Sequence, residues 1–173
     1  MKKNLITIIL ITISLFTYSQ KRNSITINGG FVDYNEESIG AMITFTKSKN
    51  NSNYEIGVSH FIFEKLYNNK NGNFTSSNIN LGYLYTFLRD RSNTLNFNIG
   101  GGAFAGYEKI NETDELIIKS ESNYIGGFYA SLNFDIYLFE NFALNLKGNQ
   151  YYLIKSTTGN LNPFVAVGVK YNF

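Results

Sequence analysis

Apolar and polar residues alternate with a period of two along most of this chain, and a β-strand is the structure that puts every second residue on one face. Between Thr94 and Glu108, Leu95, Phe97, Ile99, Gly101, Ala103, Ala105 and Tyr107 share a face. Thr94, Asn96, Asn98, Gly100, Gly102, Gly106 and Glu108 share the other, with Phe104 the one exception. From Tyr124 to Leu138, Phe128, Ala130, Leu132, Phe134 and Ile136 oppose Ser131, Asn133 and Asp135. Phe142–Leu146 and Phe164–Phe173 repeat the pattern, the latter with Val165, Val167, Val169, Tyr171 and Phe173 on its apolar side. Weaker alternation marks Ser24–Phe31, Ile39–Lys47, Tyr54–Tyr67 and Phe74–Leu88. In Tyr54–Tyr67 the phase changes near His60, which predicts a β-bulge there. These segments make eight strands, the even number that bacterial outer-membrane barrels require.

Periodicity does not say which face is outside, because a soluble lipocalin-like barrel turns its apolar face inward. Three features favour an antiparallel, up-and-down transmembrane barrel. The polar face carries mostly Gly, Ser, Asn and Thr, where a water-facing surface would carry Lys and Glu. Aromatic residues gather towards strand ends on the apolar face, at Tyr54, Tyr83, Tyr85, Phe87, Tyr107, Tyr124, Tyr152, Tyr171 and Phe173, as interfacial girdles do. The last alternating strand ends on Phe173, and a terminal aromatic strand is the address that outer-membrane insertion machinery reads.

The connections also alternate. Asp33–Ser38, Asn68–Asn73, Asn111–Ser122 and Lys155–Asn162 read as longer loops, Arg89–Asn93 and Glu140–Asn141 as short turns, and Ser48–Asn53 as intermediate. Long loops on one side and short turns on the other fit extracellular loops and periplasmic turns.

Residues 1–19 read as a targeting signal and 20–173 as one barrel domain. Lys2 and Lys3 precede an apolar run, Leu5–Phe16, and Thr17 and Ser19 are small residues placed for cleavage before Gln20. That run of 12 residues is short of the ~20 that span a bilayer as a helix. Without the two signal lysines, 13 basic residues balance 13 acidic ones, so no basic surface for nucleic acid is expected. With no cysteine, disulfides and thiolate metal sites are excluded.

An eight-stranded barrel is just wide enough to be filled by its own side chains. Glu55, Asp135, Lys147 and Lys170 fall on the polar face, so they are expected to pair inside the lumen and to plug it.

Several motifs carry a resemblance. Gly29-Gly30-Phe31-Val32-Asp33, the run Gly101-Gly102-Ala103-Phe104-Ala105-Gly106-Tyr107-Glu108, Gly126-Gly127 and Val167-Gly168-Val169-Lys170-Tyr171 occur in an order and spacing that resembles the conjugal-transfer protein TraO of Bacteroidetes conjugative transposons. Where that family carries a Cys- and Pro-containing stretch after the signal, this chain has Gln20-Lys21-Arg22-Asn23. The resemblance implies an outer-membrane part of a mating apparatus akin to type IV secretion. It supplies no catalytic residues.

Catalytic, cofactor and metal sites are not expected. The Gly100–Gly106 run lacks the Gly-Lys-Ser/Thr ending and strand-to-helix context of a phosphate loop. His60 is the only histidine, and its sequence neighbour Ser59 points to the opposite face of a strand, so it reads as a girdle or packing residue. The acidic stretch Asn111–Glu115 lacks EF-hand spacing and reads as a solvated loop. The expected role is structural, in a conjugative transfer apparatus. The expected partners are outer-membrane lipid and other conjugation proteins, with no direct nucleic-acid binding and no small-molecule substrate. The alternatives are a general outer-membrane barrel for adhesion or envelope stability, and a lipid-modifying barrel enzyme that would use His60.

Overall fold

The computed structural model describes residues 22–32, 38–67, 70–92, 94–111, 122–154, 156 and 160–173. The expected targeting signal, residues 1–19, and residues 112–115 of the acidic stretch lie outside them. Eight strands follow in order: β1 (Arg22–Val32), β2 (Ile39–Lys49), β3 (Ser52–Tyr67), β4 (Lys70–Arg89), β5 (Leu95–Asn111), β6 (Ser122–Tyr137), β7 (Phe142–Ile154) and β8 (Leu161–Asn172). Each pairs antiparallel with the next, and β8 pairs with β1, so the sheet closes and has no edge. The expected fold class and strand number are both present.

The closure is staggered. Stepping between paired residues from Arg22 leads through Ser48, Asn53, Leu84, Gly100, Ser131, Asn149 and Phe164 back to β1 at Val32. A ten-residue offset around eight strands tilts them by about 43° to the barrel axis. At that tilt a strand climbs about 2.4 Å per residue, so about 10 residues cross an apolar band of about 25 Å. β1, β2 and β8, of 11, 11 and 12 residues, match that thickness, whereas β3, β4 and β5, of 16, 20 and 17, extend beyond it at one end. At that end lie the C-terminal ends of β1, β3, β5 and β7 and the starts of β2, β4, β6 and β8, and we call it the loop end. At the other, the turn end, Asn23 and Phe173 exchange two backbone hydrogen bonds, at 3.1 and 2.9 Å.

Four local expectations need correction. No bulge occurs at His60, since β3 keeps an unbroken register with both neighbours. The apolar pattern changes phase because Phe61 and Phe63 point inward, with Tyr54, Ile56, Val58, His60 and Ile62 still outward. The bulge lies in β4, where Thr86 and Leu88 face successive residues of β5 and Phe87 is the extra residue. Asn68–Asn73 is not a longer loop: Tyr67 pairs with Lys70, so β3 and β4 join through two residues. Ser48–Asn53 is likewise a two-residue turn, Lys49 pairing with Ser52 and Asn50 taking the left-handed φ of 59° that asparagine tolerates. Finally, β7 runs on past Leu146 to Ile154.

The barrel is inside-out relative to a soluble protein. Val165, Val167 and Val169 are more than half exposed, while Asn133, Asp135, Asn145 and Lys147 are buried at 4 % or less. A soluble barrel of this sequence would reverse both sets.

Candidate functional site

The interior has two layers. Towards the turn end it is polar and ionic. Lys147 Nζ lies 3.3 Å from Glu55 Oε2, and Lys170 Nζ lies 2.8 Å from Asp135 Oδ2. All four charges expected in the lumen are therefore there, as two pairs. Neutral side chains tie the pairs together. Asn145 Nδ2 donates to Asp135 Oδ1 at 2.7 Å and Asn98 Nδ2 to Asp135 Oδ2 at 3.2 Å. Thr46 and Asn133 donate to Glu55 Oε1, each at 3.4 Å. Asn28 on β1 reaches across to Asn145 at 2.7 Å, and Thr86, Asn53 and Asn98 form a further cluster. These residues come from β1 to β8, so the network cross-braces the cylinder through its centre.

Towards the loop end the lumen is filled by rings. Tyr151 packs against Phe61, Phe104 and Tyr129 with centroids at 5.5, 5.1 and 5.3 Å, and Phe61 packs on Phe164 at 5.1 Å. Phe63 stacks on Phe74 at 5.8 Å. Val32, Met42, Ile125, Leu153 and Ala166 complete this cluster. Sequence reading missed this plug, although Phe104, which breaks the alternation of β5, is one of its members. Glu108, buried beyond it, accepts a 2.9 Å bond from the Ser156 hydroxyl in the β7–β8 connection.

Glycines make room for the filling. A Cβ on Gly102 would stand 2.0 Å from the Leu81 carbonyl oxygen, and one on Gly82 would stand 2.3 Å from the Tyr129 hydroxyl oxygen. The Gly100–Gly106 run is therefore a stretch of close strand approach in mid-sheet, with no helix start to bind phosphate.

The outer face is an apolar band with aromatic margins. All nine aromatic residues assigned to that face are exposed. Near the turn end Tyr54 meets Tyr83 edge-on at 5.4 Å and Phe142 meets Tyr171 at 4.9 Å; near the loop end Tyr107 meets Tyr124 at 5.7 Å. His60 is on this outer face and Ser59 on the inner one, as expected. The hydroxyl beside the imidazole is that of Ser77 on β4, 2.8 Å from Nδ1, a neighbour only strand pairing could reveal. Among the described residues, no cluster of His, Asp and Glu could hold a metal ion.

Solved outer-membrane barrels share this architecture. Neisserial surface protein A superposes with a TM-score of 0.68 at 11% identity, over 89% of this chain and 100% of that one. A major outer membrane protein of Thermus thermophilus gives 0.66 at 12% identity, over 88% and 98%. Ail, the attachment invasion locus protein of Yersinia pestis, gives 0.60 at 14% identity, over 89% and 99%. At such identities the likeness concerns the fold. No curated protein is similar enough to match the chain. Residues 19–173 match one family model over nearly the whole chain, and the chain belongs to the conjugative transposon protein TraO family.

Proposed function

We propose that this chain is a non-catalytic structural component of the conjugative transfer apparatus, seated in the outer membrane. The observation that carries the reading is the filled lumen. Two buried ion pairs and an aromatic plug occupy the space an aqueous channel would need. A single copy is then a sealed pillar, and transferred DNA takes another route. The apolar wall faces lipid, the turn end faces the periplasm, and the loop end faces outward. Other transfer proteins meet the loops and turns. Family membership supports the role in conjugation.

A second reading, a general barrel for adhesion or envelope stability, is favoured by the extension of β3, β4 and β5 beyond the membrane band. Mating separates the two. Deleting the gene from the donor should cut transconjugant numbers by orders of magnitude while leaving growth and detergent resistance unchanged. Full transfer without the gene would refute the conjugation role, and envelope defects in cells lacking the other transfer genes would favour the second reading.

A further inference from the structure

The apolar outer face of β3 and β4 is interrupted by the pair His60 and Ser77. On the same rung of the sheet, Ser77 pairs with Tyr107 and Tyr107 with Tyr124. Lys109, also exposed, stands two residues nearer the loop end on the same face of β5. His60, Ser77, Tyr107 and Tyr124 bound a groove of about 660 Å³ that contains Ala105 and Gly106, with Val58 and Ile79 on its turn-ward side. Towards the turns, Ala103, Gly101 and its partner Ala130 continue the outer face without large side chains.

This order of chemistry matches that of a membrane lipid. Hydrogen-bonding and cationic groups lie on the groove's loop-ward side, and an apolar slot runs from them towards the turns. When Ser77 donates to Nδ1, the imidazole proton sits on Nε2 as a free donor. Lys109 adds an ammonium on the same outer face, and phosphate oxygens accept from either donor. We propose that this groove holds one lipid of the loop-side leaflet, its phosphorylated headgroup on His60 and Lys109 and an acyl chain over Ala105 and Ala103. The proposal rests on the outer-membrane reading above. In that setting the loop-side leaflet is phosphorylated glycolipid, so the occupant is of the lipid A class. Binding, and not hydrolysis, is the role assigned, because no groove residue is a carboxylate that could orient the imidazole against Ser77.

The test uses the full barrel, extracted folded from membranes and placed in phosphatidylcholine nanodiscs with a tenth part of diphosphoryl lipid A. Native mass spectrometry counts the lipid A retained per barrel after mild detergent release. Wild type should keep one. H60A/K109A, and separately A105F, which fills the slot, should retain at least fivefold less, while I27F on the far wall should match wild type. Lipid A lacking phosphates should bind as weakly as to H60A/K109A. Equal retention by all variants, equal retention of phosphatidylcholine, or recovery of lipid A short of an acyl chain would each overturn the proposal. Heat-shifted gel mobility of each variant reports that it is folded. A wild-type protein that fails to enter nanodiscs refutes the outer-membrane reading itself.

Discussion

Removing the Lys147 ammonium should destabilise the barrel far more than removing it together with the Glu55 charge. Both partners are almost fully buried, with side-chain exposures of 1% and 7%. At 3.3 Å and an effective dielectric constant of about 20, their attraction is about 5 kcal/mol. Among the described residues, Lys147→Met leaves Glu55 with the two 3.4 Å hydrogen bonds from Thr46 and Asn133. Stripping the partner from a buried charge costs about 3–5 kcal/mol. The unfolding constant in lipid vesicles should therefore rise roughly 140- to 3,700-fold, at about 1.4 kcal/mol per factor of ten. Glu55→Gln with Lys147→Met removes both charges and should lie within about 1.5 kcal/mol of wild type. Urea titration of vesicle-inserted protein, followed by tyrosine fluorescence and gel mobility, gives both numbers. A loss under 1 kcal/mol for Lys147→Met, or a double variant as unstable as the single, would refute the paired lumen. Lys170→Met supplies an internal comparison. Asp135 keeps amide donors at 2.7 and 3.2 Å, so the loss should be smaller, about 1–3 kcal/mol.

Two further substitutions probe the wall and the glycines. Val167→Arg, in mid-strand on the outer face, should cost about 2–4 kcal/mol in vesicles, and Tyr124→Arg at the loop-end margin no more than about 1; equal costs would contradict the banded wall. Gly102→Ala drives a Cβ into the Leu81 carbonyl and should lose at least about 2 kcal/mol, whereas Gly29→Ala, with nothing within 4 Å of its Cβ, should be near neutral by the same titration; similar losses for the two would show that close strand approach is not what requires glycine.

The strands, their faces and the lumen charges were legible because one physical constraint, lipid outside and polar filling inside, acts along β5, β6 and β8 at every second residue. The sequence reading failed where that constraint changes. At the loop end the interior is aromatic, so β3 has apolar residues on both faces, and Phe61 and Phe63 read as a slip of phase. The same effect hid the second half of β7, where Tyr151 and Leu153 point inward while Gln150 points outward. Asn68–Asn73 read as a loop because strands beyond the membrane band have water available and need no apolar alternation. The real bulge did leave a trace, the adjacent Phe87 and Leu88, both exposed. His60 met Ser77 only through the β3–β4 register, which no local pattern encodes.

Spin labels along β8 test most directly which side of the sheet meets lipid. The chain has no cysteine, so single cysteines placed from residue 164 to 171 label cleanly. In vesicles, labels at 165, 167, 169 and 171 should be relaxed by dissolved oxygen and protected from a water-soluble nickel chelate, while those at 164, 166, 168 and 170 should be shielded from both. Nickel-accessible labels at 165, 167 and 169, or the loss of the two-residue period, would contradict the account.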